Sequence, residues 1–165
     1  MNAVDVNALD PLVRAGLEIA ALNALFFHRV DREAGVGVAE LFVDDGVYIA
    51  GSRRAAGRAA IDEAYRARHA RGARVSRHVI SNHLVVGLDT SGPEPVATAT
   101  SLLSLYAEDG TAPRPAAAPI LVADFHDRLV RGPLGWHYLE RRLTPLFLST
   151  AVKPVLPMKE HLEHS

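Results

Sequence analysis

The chain has 165 residues, about one domain's length, and 48% of them are hydrophobic, enough for a substantial buried core. Its 18 Lys and Arg against 19 Asp and Glu leave a net charge of -1, which excludes a generic polyanion binder. With no cysteine there is no disulfide framework, thiolate zinc site, iron–sulfur cluster or cysteine nucleophile, so acid–base or metal chemistry falls to carboxylates and to 8 histidines.

The first element opens at Asp10-Pro11, an N-cap followed by proline at the first helical position. Ile19, Leu22, Phe26 and Val30 continue at helical spacing, which predicts a long amphipathic helix ending near Asp31. Gly35 and Gly37 break it. Val38 to Phe42 reads as a short helix stopped by Asp44-Asp45-Gly46, and Val47 to Ala50 as a short strand. Arg53 to Ala56 offers a second short strand, and a helix over Arg58 to Arg71 follows with Gly72 as its cap.

From Val75 onward the pattern becomes β-type. Four long strands are predicted, over Ser76 to Leu88, Pro95 to Ala107, Ile120 to Arg131 and Trp136 to Leu148, separated by turn-forming residues. Helices first and strands afterwards is the α+β order, with helices covering one face of a curved antiparallel sheet. Residues 1–150 read as one domain and 151–165, with Pro154 and Pro157, as an extended or disordered tail. No basic leader and no apolar run near the ~18 residues that span a bilayer is present, so the expectation is a soluble, cytoplasmic protein with no membrane partner.

Five fragments carry a family likeness: ALNALFFHRVD at the end of the first helix, ELFVDDGVYIAG, GRAAIDEAY, SRHVISNHLV and ADFHDRLVRGPLGWHYLERR. Together, over about Leu12 to Leu148, they resemble the SnoaL-like branch of the nuclear transport factor 2-like superfamily. The resemblance implies a cystatin-like α+β barrel, a cone-shaped sheet packed against three N-terminal helices and curled around a ligand pocket. This fold serves dehydratases, isomerases, polyketide cyclases, dehydrochlorinases and non-catalytic binding domains alike.

By the same resemblance, Asp31 and His78 match the catalytic pair of scytalone dehydratase-like and dehydrochlorinase-like members, histidine as base and aspartate as its orienting partner. The residues themselves give modest support. Asp31 lies at a helix C-terminus, where the macrodipole disfavours a negative charge by a few tenths to about 1 kcal/mol and a nearby cation would offset it. His78 shares strand parity with Ile80, Asn82 and Leu84, a mixture suited to a pocket wall. On residue types alone an alternative stands, with Asp31 paired to Arg29 or Arg32 and His78 a satisfied histidine at the rim.

Two departures from the catalytic members stand out. Val30 occupies the position of the dehydratase-like tyrosine and Phe26 that of the dehydrochlorinase-like lysine, so neither substrate-activating group is present. Arg141 does match an arginine that the dehydrochlorinase-like enzymes use near the leaving group, with a surface strand-end arginine as the alternative. Asn82, Tyr48, Thr100, Ser104 and Tyr106 are candidate polar wall residues. Asn82 is favoured by its parity, with Arg141 and Tyr48 as further substrate contacts.

No HExxH or comparable spacing exists, and an odd separation puts His78 and His83 on opposite strand faces unless a bulge intervenes, so no metal and no cofactor is expected. Between Arg53 and Arg77 eight arginines face only Asp62 and Glu63, a local excess of +6. Only Tyr65 interleaves as an aromatic, so the segment does not read as a nucleic-acid module. A solvated face is one reading of it, and attraction of an anionic substrate to the cone mouth is another.

Two functions follow. One is a cofactor-independent acid–base lyase, isomerase or cyclase acting on a hydrophobic, polyketide- or steroid-like small molecule. The other is a non-catalytic ligand-binding or assembly domain resembling the small subunit of ring-hydroxylating dioxygenases. Resemblance also implies a homodimer through the outer sheet face.

Overall fold

A computed structural model describes residues 9–149. Helix α1, Pro11–Arg32, begins where expected: the Asp10 carboxylate accepts the backbone N–H of Leu12 at 2.9 Å and of Val13 at 3.4 Å. Its buried face runs through Ile19, Asn23, Phe26, Phe27 and Val30. The chain leaves the helix through Ala34 and Gly35, both at positive φ. A Cβ on Gly35 would lie 2.5 Å from Tyr65 Cδ1, so glycine is what lets the Tyr65 ring close against this turn.

Six strands form one sheet in the order β2-β1-β6-β5-β4-β3. They are β1 (Phe42–Ala50), β2 (Arg53–Ala56), β3 (Arg74–Asp89), β4 (Val96–Asp109), β5 (Leu121–Gly132) and β6 (Gly135–Leu148), with helix α2 (Arg58–His69) between β2 and β3. All four long strands and both long helices fall within a few residues of their predicted spans.

Four differences from the sequence reading appear. The expected second helix is a 3-10 turn, Val38–Leu41, and β1 starts at Phe42. Asp44-Asp45-Gly46, read as a helix stop, is an irregularity inside the strand, where the pairing jumps from Phe42↔Tyr138 to Val47↔Glu140. Helix α2 ends at His69, and β1 runs parallel to β6, so the sheet is mixed. The segment predicted as a tail, 151–165, lies outside the described residues.

The concave face is read off the alternation. In β4 the buried positions are Ala97, Ala99, Ser101, Leu103 and Leu105; in β5 they are Leu121, Ala123, Phe125, Asp127 and Leu129. Thr100, Ser104 and Tyr106 therefore face outward, away from α1 and the core. Helix α1 packs against β3 and β6 across this concavity. Among the described residues no helix is long and apolar enough to cross a membrane.

Candidate active site

The last turn of α1 delivers Asp31 to the start of β3. One carboxylate oxygen accepts the backbone N–H of His78 at 2.8 Å; the other accepts the Ser76 hydroxyl at 2.7 Å and lies 2.7 Å from His78 Nδ1. The alternative pairing with Arg29 is not formed, because Arg29 binds the Gly37 carbonyl and Glu40. An ionised Asp31 requires the proton on Nδ1, which leaves Nε2 as the basic nitrogen. Phe27 stacks on the imidazole with ring centroids 4.9 Å apart, fixing its plane from the helix side.

Burial opposes charge on both partners, with different outcomes. Burial raises the Asp31 pKa, but hydrogen bonding and charge from His78, with the Ser76 hydroxyl, outweigh it and hold the carboxyl below its ordinary value. Burial lowers His78; the Asp31 contacts oppose this and the charges of Arg68 and Arg141 add to it, so the imidazole stays below 6.5. The pair at neutral pH is a carboxylate beside a neutral imidazole, the state a general base requires.

The cation needed at this helix C-terminus is Arg68. From α2 it reaches Val30 O and Ser76 Oγ, both at 3.4 Å, and so ties the end of α1 to β3. Sequence reasoning missed Arg68, Ser76 and Phe27. The arginine-rich run was visible, but which of its members turns inward depends on how α2 is laid over the sheet.

His78 lies on the wall of two cavities. The larger, of about 700 Å³, is lined by Phe27, Val30, Tyr48, Tyr65, Arg68, Leu103, Leu105, Leu121, Phe125 and Leu143 among others. That volume is in the range of small-molecule sites, and the lining combines apolar and aromatic side chains with His78, five arginines and two acids. Tyr48 stacks parallel to Tyr65 with centroids 6.4 Å apart and is hydrogen-bonded to it; burial pushes both phenols up, so both remain neutral. The smaller cavity, of about 380 Å³, shares Phe27 and His78 with the larger and is also lined by Asn23, His28, Asp31, Arg32, Arg77 and His83 among others.

Two expected substrate contacts stand elsewhere. Asn82 is exposed and lines neither cavity. Its φ of 51° marks a bulge at which the β3–β4 register jumps from Ser81↔Leu102 to Leu84↔Thr100, so the parity shared with His78 is lost. The bulge brings His83 to the inner side, where Asn23 Nδ2 lies 3.4 Å from its Nδ1. Arg141 is fully buried and also lines neither cavity. It donates to Tyr138 Oη and Asn23 Oδ1, each at 2.7 Å, and its Nε is 3.6 Å from Asp127 Oδ1. Its guanidinium carbon is 4.0 Å from the Phe125 ring centroid and 4.3 Å from that of Phe26. Arg141 is thus a core residue rather than a group at the substrate or at the surface. Asp31 lines the smaller cavity, Tyr48 the larger and His78 both. Among the described residues no three His, Asp or Glu side chains are grouped to hold a metal ion.

Comparison with known proteins agrees with this architecture. A protein of unknown function with a cystatin-like fold from Nostoc punctiforme is 23% identical, with a TM-score of 0.63 over 86% of this chain and 92% of its own. A protein provisionally named a scytalone dehydratase, from Novosphingobium aromaticivorans, is 20% identical, with a TM-score of 0.67 over 88% of this chain and 89% of its own. ActVI-ORFA of Streptomyces coelicolor is 23% identical, with a TM-score of 0.61 over 78% and 95%. A search of curated proteins gave no match. The model of the SnoaL-like domain matches residues 12–142, nearly the whole described chain, and the protein belongs to the SnoaL-like family.

Proposed function

We propose that this protein is a cofactor-independent acid–base enzyme acting on a hydrophobic small molecule of polyketide- or steroid-like size. The observation that carries the reading is the 2.7 Å contact between Asp31 and His78, with His78 on the wall of a cavity of about 700 Å³. His78 Nε2 takes a proton from a carbon next to a carbonyl or similar electron-withdrawing group. Asp31 keeps the Nδ1–H in place and stabilises the imidazolium that forms. The imidazolium then returns the proton to a leaving group, giving elimination, or to another atom of the substrate, giving isomerisation or completing a ring closure. Arg68 lines the same cavity and supplies positive charge toward the developing oxyanion, the role for which Val30 and Phe26 carry no suitable group. The apolar walls exclude water and hold the reacting carbon near Nε2.

The similar structure named a scytalone dehydratase supports a small-molecule role for the fold. Exposed Val79, Leu84, Val86 and Tyr106 on the outer sheet face support pairing of two copies there, which sedimentation would read as a dimer mass.

The test uses 2-tetralone in D2O, with exchange of its acidic C1 protons followed by NMR. The protein should accelerate exchange, and His78→Ala should remove about 10²- to 10⁴-fold of that acceleration, with Asp31→Asn also slow. Exchange that is equally fast with His78→Ala would overturn the base assignment and favour a binding or assembly domain.

A further inference from the structure

We infer that the natural ligand of the large cavity is an amphipathic anion, an aromatic or polycyclic body bearing a carboxylate that sits at the β2–α2 rim. The inference rests on the reading of this cavity as the ligand site and adds the substrate's charge class. Its floor is apolar, formed by Phe27, Leu103, Leu105, Leu121, Phe125 and Leu143. The charge is on the rim, where Arg53, Arg54, Arg68, Arg71 and Arg74 meet only two acids, Glu63 and Asp109.

The pairing of these charges decides what is left for a ligand. Arg74 is neutralised by Asp109 at 2.5 Å, and Glu63 is engaged by Arg66, which is not on the cavity, at 3.0 Å. Arg68 is occupied with Val30 O and Ser76 Oγ. Arg53, Arg54 and Arg71 make no ion pair among the described residues, and all three are exposed. Arg53 and Arg54 stand on β2 opposite Ala50 and Ile49 of β1, so the sheet holds their backbone in place. Arg71 lies just beyond α2, its Nε 3.5 Å from Arg68 O. Three like charges around one opening repel each other, and an anion between them relieves that repulsion. A carboxylate matches guanidinium geometry, whereas the apolar floor gives no partner to the many charges of a polyphosphate.

The test compares anthracene-2-carboxylate with its uncharged primary amide, two fluorescent probes of the same shape, titrated into the full chain. The carboxylate should bind about tenfold tighter at low salt, with the preference shrinking as salt screens the rim. The triple variant Arg53→Gln, Arg54→Gln, Arg71→Gln should erase the preference while leaving the amide's Kd unchanged, which also reports an intact cavity. Equal binding of the two probes by the native chain, or a preference that survives the triple variant, overturns the anionic class while leaving the cavity as a ligand site. Failure of both probes to bind overturns both this inference and that reading of the cavity.

Discussion

Two aspartates stand inside this fold beside a nitrogen partner, Asp31 partly buried and Asp127 fully buried, and their surroundings drive them in opposite directions. The Asp31 side chain is 9% exposed and its oxygens receive Ser76 Oγ, His78 N and His78 Nδ1, so its carboxyl is held low despite burial. Asp127 is 1% exposed; its Oδ1 has an ion-pair partner in Arg141 but no hydrogen bond among the described residues. Burial therefore wins, and its pKa rises to about 6 in spite of the Arg141 charge. The contrast separates two uses of a buried carboxylate. A carboxylate whose lone pairs are filled by donors stays charged and can hold an imidazole in one tautomer. One that faces a guanidinium without hydrogen bonds serves to balance the charge of the core.

The comparison is most severely tested by removing each carboxylate. Asp127→Ala should cost about 3–5 kcal/mol in urea unfolding, because it strands the buried Arg141 cation. His78 should titrate nearly as before in this variant. Asp31→Ala should cost less, about 1–3 kcal/mol, since it unpairs the Ser76 hydroxyl and the His78 N–H at a partly open site. It should nonetheless abolish the 2-tetralone exchange that Asp127→Asn leaves in place.

Stability against pH sharpens the same contrast. The folded pKa of His78 is depressed below 6.5, so the unfolded chain takes up its proton first. The stability this group contributes is present above pH 6.5 and is lost as pH falls toward the folded value. Asp127 has the opposite sign: its folded pKa of about 6 lies above 3.8, so stability is regained as pH falls from about 6 toward 3.8. The two partly cancel in the native chain. Asp127→Asn should therefore show a steeper loss of stability between pH 6.5 and 4, and His78→Gln a shallower one, in urea midpoints taken across that range.

Much of this was legible in the chain. The Asp10-Pro11 start and the apolar spacing of α1 placed Asp31 at a helix end, and the alternation after Val75 gave four strands within a few residues of their observed limits. Two substrate contacts were misplaced, Asn82 expected from strand parity and Arg141 from resemblance, and both lie beside irregularities in the sheet. Asn82 follows an unbroken parity from His78 on paper, but its positive φ lets the strand bulge and exchanges it for His83. Arg141 would share parity with Leu139, not Tyr138, yet Tyr138 and Arg141 are both buried. The β5–β6 register slips between Arg128↔Glu140 and Leu129↔Tyr138, turning the arginine inward. Bulges come from the balance of sheet twist and packing across strands, which a single strand's sequence does not reveal.

The bulge provides the smallest expected effect. Asn82→Gly should change stability by no more than about 0.5 kcal/mol, because glycine accepts the same positive φ. Asn82→Val should cost about 1–2 kcal/mol, since a β-branched residue resists that conformation, and should disturb the His83 resonance before that of His78.

The central claim, that Asp31 holds a neutral His78 in readiness as a base, is tested most directly by the NMR titration of His78 in the native chain and in Asp31→Asn. The account predicts a native pKa below 6.5 that falls further in the variant, because the carboxylate is the main influence opposing the burial of the imidazole. A native value at or above 6.5 that does not move in Asp31→Asn would contradict it.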